Sequence, residues 1–200
     1  YISMAGRVLV YAIAATSLNL VLGYGGMVSF GHAAFVGLGA YVTGVMISEG
    51  TLNGGAHLLA TLLITGAAAA LIGAISLRTR GVYFIMITLA FAQMIYYSMI
   101  SLKSAGGDDG LPLEQRSTLA PFDLASEATL YWVTLVLLAG CLLLLKRLTN
   151  SRYGRALAGL RQNEARMEAL GFPVFRLKLV CFVIGAAVAW SFGYSDAVSM

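Results

Sequence analysis

Long uncharged apolar runs constrain this chain more than any other feature of its sequence. The run 82–100 contains no charged residue and only one strongly polar residue, Gln93. A helix needs roughly 20 such residues to cross the hydrocarbon core of a bilayer, whereas membrane β-strands are about half as long and alternate in polarity. The apolar runs of this chain do not alternate. The sequence therefore predicts an all-α fold: a polytopic bundle of transmembrane helices with a short amphipathic helical region on the cytoplasmic side.

Composition excludes an ordinary soluble domain. Of the 200 residues, 59% are hydrophobic and 11% are charged, against roughly 45–50% and 25% in soluble domains. Too few polar side chains remain to cover a surface in contact with water. We predict a single transmembrane domain over residues 1–200, with candidate spans at 1–22, 27–47, 57–77, 82–100, 128–145 and 179–194.

The few charged residues predict the orientation of the chain. The segment 146–178 carries eight basic residues and only two acidic ones, Glu164 and Glu168. The segment 101–127 is mainly acidic. Because short basic loops remain in the cytoplasm, we predict a cytoplasmic loop at 146–178 and an external loop at 101–127.

The cytoplasmic loop carries the pattern of an amphipathic helix. Its apolar residues Leu157, Leu160, Met167 and Leu170 recur along one stripe of a helix, and Gly171 begins a helix stop signal. A basic amphipathic helix can lie on anionic lipid headgroups, or it can dock on a cytoplasmic protein. Both alternatives stay open.

The external loop contains a cluster of glycine and aspartate, formed by Gly106, Gly107, Asp108, Asp109 and Gly110. Such clusters are typical of tight polar turns. Paired aspartates also occur in calcium loops, but the later glutamate of the EF-hand pattern is missing. We expect a solvated turn or a contact for an external partner, and we predict no metal site.

Polar residues within the predicted spans are candidates for a substrate path, because hydrocarbon offers them no partners. They are Asn19, Ser29, His32, Thr88 and Gln93. For His32, a hydrogen bond between helices is the competing explanation. No acidic or basic residue lies at the middle of a span, which argues against a proton-coupled transporter and against an intramembrane enzyme. A passive small-solute channel is the alternative from another functional class.

Four glycines interrupt the apolar sequence near the start of the second span: Gly23, Gly25, Gly26 and Gly31. Glycine permits backbone conformations that a helix cannot hold, and irregular backbone at membrane depth occurs only where it is buried in protein or lines a cavity. We predict a broken-helix element between two packed helices, with Ser29 and His32 facing the bundle interior. Whether residues 23–35 form a re-entrant segment or part of a full span stays open.

Four segments together resemble one protein family. They are LNLVLGYGGMVSFGHAAFVGLGAY (18–41), RTRGVYFIMITLAFAQMIYY (78–97), GGDDGL (106–111) and SRYGRALAGLRQNEARMEALGFPVFRLKLVCFVIGAA (151–187). In this order and spacing they resemble the permease subunits of bacterial branched-chain amino acid ABC transporters, the LivM-like members more than the LivH-like ones. The resemblance covers about residues 10 to 189. Residues 190–200 depart from it, and with the first residue being Tyr1 we expect the chain to be a fragment.

The resemblance implies a membrane-spanning subunit of an ATP-driven importer for leucine, isoleucine and valine that works by alternating access. The implied partners are a second homologous permease, two cytoplasmic ATPase subunits, a periplasmic substrate-binding protein and the lipid bilayer of the bacterial inner membrane; nucleic acid is not among them. ATP and Mg belong to the ATPase subunits, so the chain itself is expected to hold no cofactor and to be no enzyme. The alternative cargo is urea, a short amide or another amino acid.

The resemblance also assigns a coupling helix for the ATPases to the cytoplasmic loop. The residues near this pattern are Arg155, Leu160, Arg161, Glu164, Ala165, Glu168 and Gly171. The distance from Glu164 to Gly171 is one residue longer than in the general importer motif, and Arg166 stands where that motif has alanine.

Overall fold

The computed structural model describes residues 2–48, 54–101 and 127–199. Every regular element in these ranges is helical, which confirms the all-α prediction. Almost all of the predicted external loop, including the cluster 106–110, lies outside the described residues. In chain order the elements are α1 (Ile2–Asn19), a π-helix (Leu20–Tyr24), α2 (His32–Ser48), α3 (Gly54–Ser76), α4 (Val82–Ser101), α5 (Glu127–Thr149), α6 (Arg152–Gln162), α7 (Glu164–Ala169) and α8 (Val174–Ser199).

Four helical stretches among the described residues are long and apolar enough to cross a membrane: Met4–Tyr24, Leu59–Ser76, Val82–Ser101 and Tyr131–Thr149. They present large apolar side chains such as Leu63 and Leu143 on the outside of the bundle. A soluble protein would hide such faces, whereas lipid tails accept them. The chain is a multi-pass membrane protein.

The second span is only partly helical. The sequence predicts one span over residues 27–47, but residues 25–31 are not helical and α2 begins only at His32. The 17 residues of α2 measure about 25 Å at 1.5 Å per residue, which is shorter than the roughly 30 Å hydrocarbon core.

Helix α8 lies at the centre of the bundle and packs against α1, α2 and α3. Its inner face is formed by small and aromatic side chains, among them Cys181, Phe182 and Ala186, which are almost fully buried. The ring of Phe182 meets Phe35 of α2 at 5.5 Å and Phe84 of α4 at 6.4 Å between ring centres, both edge to face. Such pairs contribute about 1 kcal/mol each beyond the area they bury.

One end of the bundle, which we name the basic end, collects α6, α7, the turn between α3 and α4, and the π-helix. Arg80 of the turn lies 3.7 Å from Glu164 and 3.7 Å from Glu168 on α7. Arg161 of α6 donates a hydrogen bond to the carbonyl of Gly23 in the π-helix. The charged helices therefore contact the end of the first membrane-spanning stretch and the turn between the second and the third.

Candidate functional site

The candidate site is a break in the second span, and we use "the break" for residues 25–31. Helix α1 widens into the π-helix at its end, where the N–H of Gly25 donates to the carbonyl of Leu20 at 3.0 Å. The N–H of Met27 donates to the carbonyl of Val21 at 3.1 Å. Gly26 then turns the chain with φ +65°, a conformation that favours glycine because it has no Cβ. Single π-turns inside helices are frequent at functional sites.

Burial alternates along the break from residue 26 to residue 31, which is the pattern of an extended chain. One face points into the bundle and the other points away from it. The apolar side chains of the outward face are exposed, Val28 by 42% and Phe30 by 62%. The inward residues are Met27, Ser29 and Gly31, and the outward residues are Gly26, Val28 and Phe30.

The end of the break touches the backbone of α4. A Cβ atom built on Gly31 would lie 2.6 Å from the carbonyl oxygen of Thr88, so only glycine allows this approach. Thr88 is six residues into α4, which places the contact about 9 Å below the start of that helix at 1.5 Å per residue. The end of the break therefore lies beside the second turn of α4, one of the stretches long and apolar enough to cross a membrane.

A buried hydrogen-bond network holds the start of α2. The hydroxyl of Ser17 on α1 donates to the carbonyl of Gly185 on α8 at 2.7 Å and lies 2.6 Å from Nε2 of His32. Because Ser17 gives its one proton to Gly185, His32 must donate through Nε2, so the proton of the neutral ring sits there. Three helices thus meet at one histidine. This is a hydrogen bond between helices, the explanation for His32 that competes with a role in the substrate path.

The structure brings three of the five predicted path residues to the break. Ser29, His32 and Thr88 are buried, with exposed fractions of 6%, 6% and 1%. The hydroxyl of Thr88 donates to the carbonyl of Ile85 in its own helix at 2.9 Å, whereas Ser29 Oγ and His32 Nδ1 have no hydrogen-bond partner in the described part of the chain. A buried polar atom without a partner costs free energy of folding. Packing alone therefore does not explain why the interior beside the break carries these polar atoms.

The other two predicted path residues lie elsewhere. Gln93 is exposed on α4. Asn19 is exposed at the basic end, where it lines two adjoining cavities of about 340 Å³ and 640 Å³. Both cavities also include Tyr24, and they contain the basic side chains Lys146 and Arg161 respectively but no carboxylate. This combination favours polar or anionic solutes.

Helices α6 and α7 form a compact pair beside these cavities. Ser151 caps α6 by accepting from the N–H of Gly154, and Asn163 ends α6 and caps α7 by accepting from the N–H of Arg166 at 2.9 Å. Glu164 forms an ion pair of 2.8 Å with Lys178 at the start of α8. The pair is therefore anchored to the central helix.

Tyr153 adds a second anchor between α6 and α8. Its hydroxyl donates to the carbonyl of Leu177 at 2.7 Å. Burial, together with the nearby Cys181, raises the pKa of Tyr153 well above its usual range. The phenol therefore keeps its proton, and the hydrogen bond, at any pH near neutrality.

The predicted coupling residues divide into two groups. Leu160 is buried, Arg161 contacts the π-helix and Glu164 pairs with Lys178, so these three side chains are engaged within the chain. The remaining coupling residues are exposed to solvent, although Glu168 also pairs with Arg80 at 3.7 Å. They are Arg155, Ala165, Glu168 and Gly171.

Sequence reasoning missed a buried stripe of polar side chains on α3. Its members repeat at spacings of four and are fully buried: His57, Thr61 and Thr65, followed further along by Ser76. Thr61 donates to the carbonyl of His57 at 2.6 Å, and its hydroxyl lies 3.4 Å from that of Thr43 on α2. The spacing of four was visible in the sequence. A threonine whose hydroxyl donates to a carbonyl of its own helix leaves the apolar character of a span almost unchanged, so the stripe gave no clear signal.

An apolar groove of about 820 Å³ lies between α2, α3 and α4 on the outside of the bundle. Apart from Tyr41 and Ser98, the side chains that line it are apolar. Such a groove is compatible with lipid. Among the described residues, no group of three His, Cys, Asp or Glu side chains could hold a metal ion.

The comparison with known families gives a match over nearly the whole chain. The family described as the permease component of the branched-chain amino acid transport system matches residues 1–197. The match is longer than the resemblance identified over about 10–189, so the expectation that residues 190–200 depart from the family was wrong for all but the last three residues. No solved structure matches the chain.

Three similar proteins carry the name LivM. The high-affinity branched-chain amino acid transport system permease proteins LivM of Salmonella typhimurium and Escherichia coli are each 27% identical over 94% of this chain and 50% of their own length. The probable branched-chain amino acid transport permease protein LivM of Methanocaldococcus jannaschii is 24% identical over 89% of this chain and 61% of its own length. The chain spans about half the length of the first two relatives.

Proposed function

We propose a transport function for this chain, which belongs to the family of permease components of the branched-chain amino acid transport system. The protein is the membrane-spanning subunit of an ATP-driven importer in the bacterial inner membrane, and its cargo is leucine, isoleucine, valine or a related amino acid. It works with a second permease, two ATPase subunits that hold ATP and Mg, and a periplasmic binding protein. The chain itself carries no catalytic chemistry.

The observation that supports this proposal best is a membrane span interrupted by extended backbone beside a charged helix pair. An uninterrupted helix satisfies all its own hydrogen bonds and offers a solute nothing, whereas a broken helix exposes backbone groups at membrane depth. In the proposal, alternating access changes the surroundings of the break, and the exposed part of α6 and α7 docks on an ATPase subunit.

The path residues have distinct roles in this proposal. Ser29, His32 and Thr88 shape the break from inside the bundle. The solute passes the outward face at Val28 and Phe30, whose apolar side chains suit an aliphatic cargo, and leaves through the polar cavities beside Asn19. Gln93 stays a prediction that rests on its polarity alone.

Uptake of labelled leucine into vesicles that hold the complete complex tests the function. We expect leucine to accumulate in the vesicles only when ATP is present on the side of the ATPase subunits. Isoleucine and valine should compete with leucine for uptake, and urea should compete little. Removal of residues 150–178 is expected to abolish both ATPase association and uptake. Equilibration without ATP would indicate a passive channel, and competition by urea or short amides alone would change the cargo.

A further inference from the structure

We infer that Arg161 is a positioning residue for transport: it fastens the helix pair α6–α7 to the break, so that displacement of the pair moves the backbone of the second span. The effect on transport rests on the proposed function. The contacts between Arg161 and the backbone of residues 23 and 26 are observed.

Arg161 contacts the backbone at two points, one just before the break and one within it. Its guanidinium donates to the carbonyl of Gly23, one of the carbonyls that a helix end leaves without an N–H partner. Its aliphatic part lies along Gly26, where a Cβ atom would come within 3.1 Å of Cγ and 3.5 Å of Cβ of Arg161. One side chain therefore bridges the last turn of the π-helix and the turn that begins the break.

The helix pair can transmit a displacement to Arg161 because α6 and α7 are packed against each other. Leu157 and Leu160 anchor α6 in the bundle interior. The sulfur of Met167 on α7 lies within 3.0 Å of the position a Cβ would take on Gly159 of α6, so the two helices are in close contact. A force on α7 consequently reaches Arg161, which is the last basic residue of α6.

The break can respond because tertiary contacts hold its two ends while its outward face, at Val28 and Phe30, is exposed. At the far end, the Ser17–His32 network and the contact of Gly31 with Thr88 fix its position. Between these ends, Ser29 Oγ has no partner in the described part of the chain and Val28 is 42% exposed. Movement of the Gly23 carbonyl would therefore change the outward face near Val28 first.

The experiment compares Arg161→Ala and Arg161→Lys with Arg152→Ala in the complete complex. Arg152 is an exposed arginine at the start of the same helix. Three quantities are measured: co-purification of the ATPase subunits, leucine transported per ATP hydrolysed, and the rate of maleimide labelling of Val28→Cys above a blank that lacks this cysteine.

For Arg161→Ala we expect unchanged co-purification of the ATPase subunits. Transport per ATP should fall at least about tenfold, and labelling should become at least about tenfold faster. Loss of one charge-assisted hydrogen bond shifts an equilibrium by about this factor. Arg161→Lys, which keeps a donor, should lie between Arg161→Ala and the parent. Arg152→Ala should match the parent in all three.

The outcomes separate this inference from the proposed function. Unchanged transport per ATP with unchanged labelling would overturn the inference, and so would loss of the ATPase subunits, because Arg161 would then act at the partner. If no variant shows ATP-dependent uptake, the proposed function fails, but faster labelling in Arg161→Ala would still support the contact. If Arg161→Ala does not fold, the same comparison is made with Arg161→Lys.

Discussion

Two spans of this protein begin after a glycine with nearly the same positive φ, and they continue differently. Gly26 and Gly81 both lie at the basic end, with φ of +65° and +64°. After Gly81 the next residue already starts α4, whereas after Gly26 the chain stays extended until α2 starts at His32. A Cβ atom on Gly81 would meet nothing within 4 Å, while one on Gly26 would meet Arg161.

The difference teaches that a left-handed glycine turns the chain but does not break a span. The turn before α4 is completed locally: the N–H of Arg78 donates to Ile75, and that of Thr79 to Ser76. The break before α2 is instead held by distant residues, with Arg161 at one end and the backbone of Thr88 at the other. Tertiary contacts therefore decide which glycine begins a helix at once.

The largest expected effect comes from Gly31→Ala, which attacks the far end of the break. The new methyl group would lie 2.6 Å from the carbonyl oxygen of Thr88, and backbone cannot move aside as a flexible side chain can. We expect a loss of about 3 kcal/mol in the free energy of unfolding, measured by thermal unfolding in detergent. Gly37→Ala, which meets nothing within 4 Å, should be neutral or slightly stabilising. Equal losses would show that α4 does not hold the break.

Ser17→Ala is expected to rank second, because it removes the link between three helices. His32 would keep a buried N–H without an acceptor, and Gly185 would lose its donor, at a cost of about 2 kcal/mol. Thermal unfolding in detergent measures the loss. Ser98→Ala is the control, since that hydroxyl is exposed and donates only to Met94 in its own helix; its effect should stay within about 0.5 kcal/mol. A similar small effect at Ser17 would mean that the network does not anchor α2.

The pair Gly26→Ala and Gly81→Ala tests the opening comparison directly. Both variants place a Cβ in the left-handed region and should lose about 1 kcal/mol from that strain. Gly26→Ala should lose a further ~0.5–1 kcal/mol by displacing Arg161. In an Arg161→Ala background this excess should vanish in a double-mutant cycle. If the additional loss in Gly26→Ala persists in that background, its cause is a contact with another neighbour.

The smallest expected effect is at Tyr153, which helps to hold α6 on α8. Tyr153→Phe should cost about 1 kcal/mol through loss of the hydrogen bond to Leu177. Because burial raises the pKa of Tyr153 above its ordinary value of 10.0, its contribution is fully present below that pH and is lost as the pH rises through the raised pKa. Unfolding measured against pH should therefore show a constant difference between parent and variant near neutrality, shrinking under alkaline conditions. A difference that grows with pH would contradict the buried, protonated phenol.

The coupling region shows where sequence reasoning succeeded and where it stopped. The stripe of Leu157, Leu160, Met167 and Leu170 predicted amphipathic helices, and the structure forms them. The pattern could not say what the stripe contacts. Its first three residues are buried against the chain itself, and only Leu170 remains exposed, at 65%. Periodicity reports that one face is apolar, not which surface covers it.

The sequence by itself determined that this protein is a helical membrane bundle, because hydropathy over some 20 residues is a local property that hydrocarbon selects strongly. It also located the irregular stretch, since glycine clusters are legible without a fold. Only the tertiary structure decided what that stretch is attached to. Ser17 and Gly185 are 168 residues apart, and Arg161 and Gly23 are 138 residues apart. Such pairs leave no local pattern, because they come into contact only when helices far apart in the chain pack side by side.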